Sequence, residues 1–275
     1  MLINEKHTKQ FATFYLLCFV IHFGWLWFNN LLFSLVNPVF FLNKLDFTRN
    51  LLMLGNVQHY LISNYFLRVC FDLLYGALPI LLTIAVIRNW RGKPVIAICT
   101  AAFTLIYGIF FSAVTYISIE GYISWILIPL IFSAATVKGF YYFLHAIRII
   151  FILIFVSAAV AKISTLAVFN TQQMAGILLS QHKVYLVSNA NDWFTKFIYF
   201  LVRHKETAFL FFILGTLAEL SFAVGIFTRR FDRFLILVFC LFLMFDFFLM
   251  RINYFTWMVF MGCFYFSTFP LQDRK

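Results

Sequence analysis

Residues Ile149–Phe169 read IIFILIFVSAAVAKISTLAVF. Every side chain in the stretch except Lys162 is apolar or small. At a rise of about 1.5 Å per residue, a helix over it reaches across a hydrocarbon core about 30 Å thick. A lysine inside such a helix costs about 2.5–3.5 kcal/mol on insertion scales, so it needs a partner, water or a task. The alternative is a lysine whose stem snorkels to a nearby interface.

The rest of the chain fits the same solvent. It has 275 residues, 64% of them hydrophobic and only 11% charged, with 40 phenylalanines. A soluble domain carries about 25% charged residues. A chain of this composition meets lipid over most of its length, and in lipid only helices or a closed barrel satisfy the backbone. A barrel needs short alternating segments, whereas these apolar runs are long and do not alternate. The sequence therefore predicts an all-α, polytopic integral membrane helical bundle, with residues 1–275 forming a single membrane domain.

The net charge of +11 does not indicate nucleic acid, because no basic stripe is interleaved with exposed aromatics. The basic residues gather at the ends of apolar runs, where they set orientation and meet anionic headgroups, so the lipid bilayer is the expected partner. Five cysteines (Cys18, Cys70, Cys99, Cys240 and Cys263) form no C-x-x-C pair. They read as free buried thiols. No metal motif, P-loop or G-x-S-x-G is present, and His22 and His145 sit at different heights for a haem.

The expected spans are Phe11–Val36, Phe66–Ile87, Pro94–Ile119, Tyr122–Val137, Ala146–Phe169, Thr207–Phe227, Phe234–Met250 and Tyr254–Phe269. The count is about eight transmembrane helices, with six to eight open because the fourth run is short and carries Pro129. The first run follows Lys6 and Lys9 and reads as an uncleaved signal anchor. With eight spans, five basic clusters share one side: Lys6 and Lys9; Arg88, Arg91 and Lys93; Lys138 and Arg148; Arg229, Arg230 and Arg233; Arg274 and Lys275. The positive-inside rule makes that side the cytoplasm, with both termini there, in a bacterial inner (cell) membrane. Two long segments, Asn37–Tyr65 and Asn170–Glu206, then lie outside as extracytoplasmic interfacial helices, the second with Asn191 or Asp192 as N-cap. They are packing lids or lids over an outward-opening site.

Counting rise from the basic clusters places Lys162, Asp246 and His22 roughly 20 Å up, Asp72 roughly 24 Å and Glu219 roughly 15 Å. Four groups at one level, Lys162, Asp246, His22 and Asp72, with Glu219 about half a turn to a turn lower, predict a shared polar cavity facing the outside, with Lys162 meeting Asp246 directly or through one water and Glu219 either paired to Arg148 or His145 or sharing that cavity. The bland alternative is a set of ion pairs that only fix packing. If the layer is chemical, Lys162, Asp246, His22, Asp72 and Glu219 are the catalytic candidates, with Lys162 as base.

Two stretches carry a resemblance. HAIRIIFILIFVSAAVAKIST (His145–Thr165) resembles a helix of the HTTM family, the membrane domain shared with vitamin K-dependent gamma-carboxylase, in which a lysine follows a small-residue turn. AELSFAVGIFTRRFDRF (Ala218–Phe234) resembles that family's following helix, with its Glu-x-x-Phe start and basic turn. DoxX-like membrane proteins are neighbours in shape. The resemblance runs over roughly Tyr142–Met250. It implies that Lys162 acts as base, that the protein is a redox or modifying enzyme, and that it uses a quinone-like lipid or acts on an extracytoplasmic peptide. Two other classes stay open: a non-catalytic accessory subunit bound to a partner membrane or secreted protein, and a small transporter. The lack of inverted repeats speaks against the last.

Overall fold

The computed structural model describes residues 2–37, 57–115 and 119–267. Its helices, in chain order, are α1 (Leu2–Phe28), α2 (Val57–Ser63), α3 (Tyr65–Ile87), α4 (Lys93–Thr115), α5 (Ile123–Ile131), α6 (Val137–Ser164), α7 (Gln173–Ser188), α8 (Trp193–Arg203), α9 (Lys205–Ser221), α10 (Val224–Phe227), α11 (Asp232–Phe245) and α12 (Phe260–Phe266). Short 3₁₀ turns precede α5 (Ile119–Tyr122) and α12 (Phe255–Val259), and a π-helical turn (Asp246–Met250) extends α11. No strand occurs among the described residues. Six helical stretches are long and apolar enough to cross a membrane: Lys6–Phe28, Tyr65–Ile87, Lys93–Val114, Val137–Ser164, Lys205–Phe227 and Asp232–Met250. The chain is an integral membrane protein of helices. The fourth and eighth expected spans exist as shorter apolar helices, Ile119–Ile131 and Phe255–Phe266.

Contacts group the chain into two compact units, Met1–Ile147 with Phe255–Lys275, and Arg148–Tyr254. In the first unit the helix ends are chemically marked. Asn64 Oδ1 accepts the amides of Phe66 (3.0 Å) and Leu67 (3.3 Å) and starts α3. Asn89, with φ 52°, ends it, and Trp90 N–H reaches back to Ala85 O at 2.8 Å, the hydrogen bond of a Schellman stop. Thr136 Oγ1 accepts the Gly139 amide at 3.1 Å and caps α6.

The same contacts show where the two short helices run. Residues Ile131–Val137, which follow α5, line one cavity with Thr8 and Lys9 of α1 and with Asn89 and Lys93. Thus α5 returns to the end of the unit where α4 begins. At that end His7 bonds the Tyr141 hydroxyl (2.9 Å), and its ring meets Phe266. At the other end Trp257 Nε1 donates to Glu120 O (2.9 Å) and Ser124 Oγ donates to Thr256 O (2.8 Å). The stretch from Phe255 to Phe266 therefore runs from the Glu120 end to the His7 end, opposite in direction to α1. A helix of this length rises only about 20 Å, short of a 30 Å core. The looser rise of the 3₁₀ turns adds a little to each.

Three expected boundaries move inward: the fourth expected span ends at Ile131, not Val137, which instead opens α6. The first helix ends at Phe28, not Val36, and the fifth expected span ends at Ser164, with Leu166 left-handed (φ 58°) before a 3₁₀ turn at Ala167–Phe169. Hydropathy continues past both points, and it does not register where the backbone stops. Most of the outward segment Asn37–Tyr65 lies outside the described residues, as do Arg274 and Lys275.

In the second unit, side-chain pairs fix direction. Phe151 meets Phe239 (4.9 Å between ring centroids) and Phe155 meets Phe242 (5.2 Å), so α6 and α11 run parallel. Phe155 also meets Phe222 (4.6 Å), one residue past α9, while Lys162 meets Glu219, so α9 runs antiparallel to α6. The segment Asn170–Glu206 is helical, as expected, and forms α7 and α8. Met174, Leu178, Phe194, Ile198 and Leu201 pack with Phe212 of α9 into one buried cluster. Asp192 is the N-cap of α8, accepting the Phe194 amide at 3.2 Å. That helix buries Phe194, Ile198 and Leu201 and exposes a second stripe, Trp193 (70%), Phe197 (37%) and Phe200 (49%).

Candidate functional site

The ionisable residues of the expected polar layer fall into two clusters, one in each unit. In the second unit Lys162 Nζ donates to both carboxylate oxygens of Glu219, at 2.6 and 2.7 Å. This corrects the expected Lys162–Asp246 pairing. Comparing Cα heights omitted the lean of helical side chains, which point back toward their own N-terminus. On antiparallel α6 and α9 the two side chains lean toward each other, so a lysine about one turn above the glutamate meets it. On parallel α6 and α11 they lean the same way, and equal height does not bring Asp246 into contact.

Asp246 nevertheless belongs to the cluster, because its carboxylate lies within the electrostatic field of both Glu219 and Lys162. It has no direct side-chain hydrogen bond or ion pair among the described residues. Glu219 is nearly enclosed (side chain 6% exposed), while Lys162 is open on one flank (32%). The Phe212 ring centroid lies 5.6 Å from Nζ on the protein side.

The backbone beneath this cluster is irregular and well tethered. Asp246 opens the π-helical turn, and its carbonyl accepts the amides of Arg251 and Ile252. Arg251 is left-handed (φ 53°). The freed carbonyls find donors on α7: His182 Nε2 sits 2.9 Å from Leu249 O, and Gln181 Nε2 sits 3.5 Å from Met250 O. Arg251 stacks against the rings of Tyr185 and Phe194, its guanidinium carbon 4.0 Å from each centroid. Asp192 joins the same network of contacts. The Tyr185 hydroxyl, at 2.7 Å, holds its carboxyl below the usual carboxylate range, helped by the Phe194 and Trp193 amides and the Arg251 charge. Single π turns inside helices often accompany functional sites.

A second buried pair lies nearer the start of α6. Arg148 Nε donates to Asp232 Oδ2 at 3.0 Å, and Nη2 closes on Oδ1. Arg148 is therefore not the partner of Glu219. Asp232 escaped the sequence reading because it stands among Arg229, Arg230 and Arg233, where a lone carboxylate looks like part of a solvated turn.

His22 and Asp72 belong to the first unit and have local tasks there. Asp72 accepts the Phe33 amide (3.1 Å), the Ser34 amide (2.7 Å) and the Tyr107 hydroxyl (2.7 Å). One turn away Arg68 Nη1 donates to Phe33 O and Val36 O. The two side chains satisfy backbone left open where the chain turns after α1, which a membrane interior demands. His22 stacks on Trp125 (5.2 Å, 21°) and sits 3.2 Å from the Tyr75 hydroxyl, inside a cluster in which Tyr75 stacks on Tyr107 at 4.0 Å. Shared depth thus grouped residues that have separate partners.

No disulfide joins Cys18, Cys70, Cys99, Cys240 and Cys263 among the described residues. Among the described residues, no three His, Cys, Asp or Glu side chains lie close enough to hold a metal ion. No protein-family model matches the chain, and neither a curated protein nor a solved structure matches it.

Proposed function

We propose that the second unit carries an intramembrane acid–base site in which Asp246 exchanges a proton beside the fixed Lys162–Glu219 pair, acting on an oxygen of a lipid-soluble, quinone-like substrate. The observation that carries this reading is the composition of the cluster. One ammonium is held by both oxygens of one carboxylate, and a second carboxylate lies in their field with no direct bond of its own among the described residues. A packing device needs only the first pair, and an additional ionisable group inside a membrane is costly. Lys162 is the positioning cation here, because its Nζ is occupied by Glu219, and Asp246 is the group free to take up or release a proton.

The open flank of Lys162 suits a substrate arriving from the membrane, since a carbonyl oxygen there can accept from Nζ. A quinone supplies such carbonyls and a reducible ring. The two stretches resembling the HTTM family are the two that meet at this pair, one contributing Lys162 and the other Glu219, which supports that kinship as a proposal. For topology we propose eight passes, with the Lys9–Lys93 end of the first unit cytoplasmic and α8 in the outer interface. The return of α5 to the Lys93 end supports the count, and the exposed Trp193, Phe197 and Phe200 stripe supports the interfacial placement.

Infrared difference spectroscopy of the purified protein in lipid, on adding a short-chain benzoquinone, tests the site. A carboxyl band that Asp246→Asn removes and Asp192→Asn leaves in place is expected. The same band in the Asp246→Asn protein would end the reading. A second reading, the accessory subunit, draws on the apolar stripe Phe234, Leu237, Leu241, Met244 and Phe248 along one exposed flank of α11 and its π turn. It gains if a stoichiometric partner protein copurifies and mutation of this stripe releases it.

A further inference from the structure

The basic end of the first unit contains a cavity of about 150 Å³. A single water needs only about 10–15 Å³ by such a measure, so the space admits a tetrahedral oxyanion. Its polar lining comes from Thr8, Lys9, Asn89, Lys93 and Thr136, and no carboxylate is among the described lining residues. Lys93 Nζ has only a long contact to Asn89 Oδ1, at 3.5 Å. Two lysines lining one space with no described carboxylate repel each other unless an anion lies between them.

The backbone adds to this field. Helices α4 and α6 both begin at the wall of the cavity, at Lys93 and Val137, so the positive ends of two long helices meet there. Thr136 caps one amide of α6, and the remaining first-turn amides have no partner within the helix. The rest of the lining is mainly apolar and includes Val86, Ile131, Phe132 and Phe140. Basic and apolar residues lining one space suit an amphiphile with an anionic head.

We propose that this cavity binds a phosphate-bearing anion, clamped between Lys9 and Lys93. The shared chemistry is a phosphate group, carried by an anionic phospholipid or free in solution. The site is independent of the Lys162 cluster, so neither proposal depends on the other.

The test uses the full chain purified in detergent, with native mass spectrometry after adding phosphatidylglycerol or phosphatidylcholine. A parallel arm measures thermal unfolding in inorganic phosphate against chloride at equal ionic strength. The variant is Lys9→Gln with Lys93→Gln. The control is Lys138→Gln, which removes an adjacent basic residue that does not line the cavity. At about 1 kcal/mol per basic residue near a phospholipid headgroup, the double variant should lose phosphatidylglycerol about 30-fold, and the control should keep it. If phosphatidylglycerol binding is unchanged but the double variant loses stabilisation by inorganic phosphate, the ligand is free phosphate. If the double variant, folded as judged by unfolding in chloride, binds both probes like the wild type, the proposal is overturned. Equal loss in the Lys138→Gln control would also overturn it, since the effect would then be one of general surface charge.

Discussion

Lys162 and Glu219 form the contact on which the reading of the second unit turns. Removing one partner leaves an uncompensated charge in a nearly enclosed place, which costs about 3–5 kcal/mol, while replacing both with apolar groups of similar volume is far milder. Lys162→Met and Glu219→Leu should each lower the unfolding midpoint in detergent strongly, and the double variant should recover most of the loss. A double variant as unstable as the sum of the singles would refute the coupling. Asp246→Asn keeps the shape and removes the proton-carrying oxygen, so folding should be retained while reduction of a quinone-like substrate by an added two-electron donor, to which Asp246 supplies a proton, falls about 10²–10⁴-fold. The sequence made Lys162 conspicuous because nothing else in its run is charged. It did not reveal the partner, because three carboxylates lay within about two helical turns and side-chain lean chose among them.

At the scale of elements, close approach and capping decide which substitutions matter. A Cβ on Gly262 of α12 would come within 2.6 Å of Phe11 and 2.8 Å of Phe14 on α1. Gly215, in the middle of α9, would place its Cβ in open space. Gly262→Ala should therefore destabilise by about 1–3 kcal/mol through overpacking. Gly215→Ala should stabilise by about 0.5–1 kcal/mol through backbone entropy, so unfolding midpoints should move in opposite directions. The Asp192 cap of α8 is sensitive to pH with a definite sign. Its carboxyl is held below its ordinary value, so its contribution is complete above the ordinary carboxylate range and is lost as pH falls through the depressed folded value. Hydrogen exchange at the α8 amides should rise relative to α9 on acidification into that window, and Asp192→Asn should flatten the difference. The cap itself was legible from NDW before an apolar stripe. The stacking of Arg251 against Tyr185 and Phe194 was not, because it joins residues far apart in the chain.

For the whole molecule, the sharpest expectation is the side on which each loop lies. Eight passes with the basic end inside put Ser63 and Ser188 outside. Ser63→Cys and Ser188→Cys, compared with the unmodified chain, should both gain labelling by an impermeant maleimide from intact cells. Protection of both would reverse the orientation, and labelling of only one would refute the count of eight. The same arrangement explains why two helices too short to cross a bilayer by themselves still run from end to end in the first unit. The Trp257–Glu120 and His7–Tyr141 contacts mark the two ends, and 3₁₀ turns lengthen each path.

Composition and run length by themselves determined that lipid is the solvent, that the backbone is helical, and where most helices lie. Those properties follow from local hydropathy and from the demand that every buried amide be bonded within its own segment. The sequence also placed charges at helix ends, from which one side for five basic clusters is expected. Only the tertiary structure decided that Asp72 clamps the chain after α1, that Asp232 neutralises Arg148, that Glu219 holds Lys162, and that the Asp246 carboxylate lies in the field of that pair with no side-chain hydrogen bond or ion pair among the described residues. Each of these depends on which helices neighbour one another, whether they run parallel or antiparallel, and how far a side chain leans. None of that is encoded in the depth of a residue along its own helix.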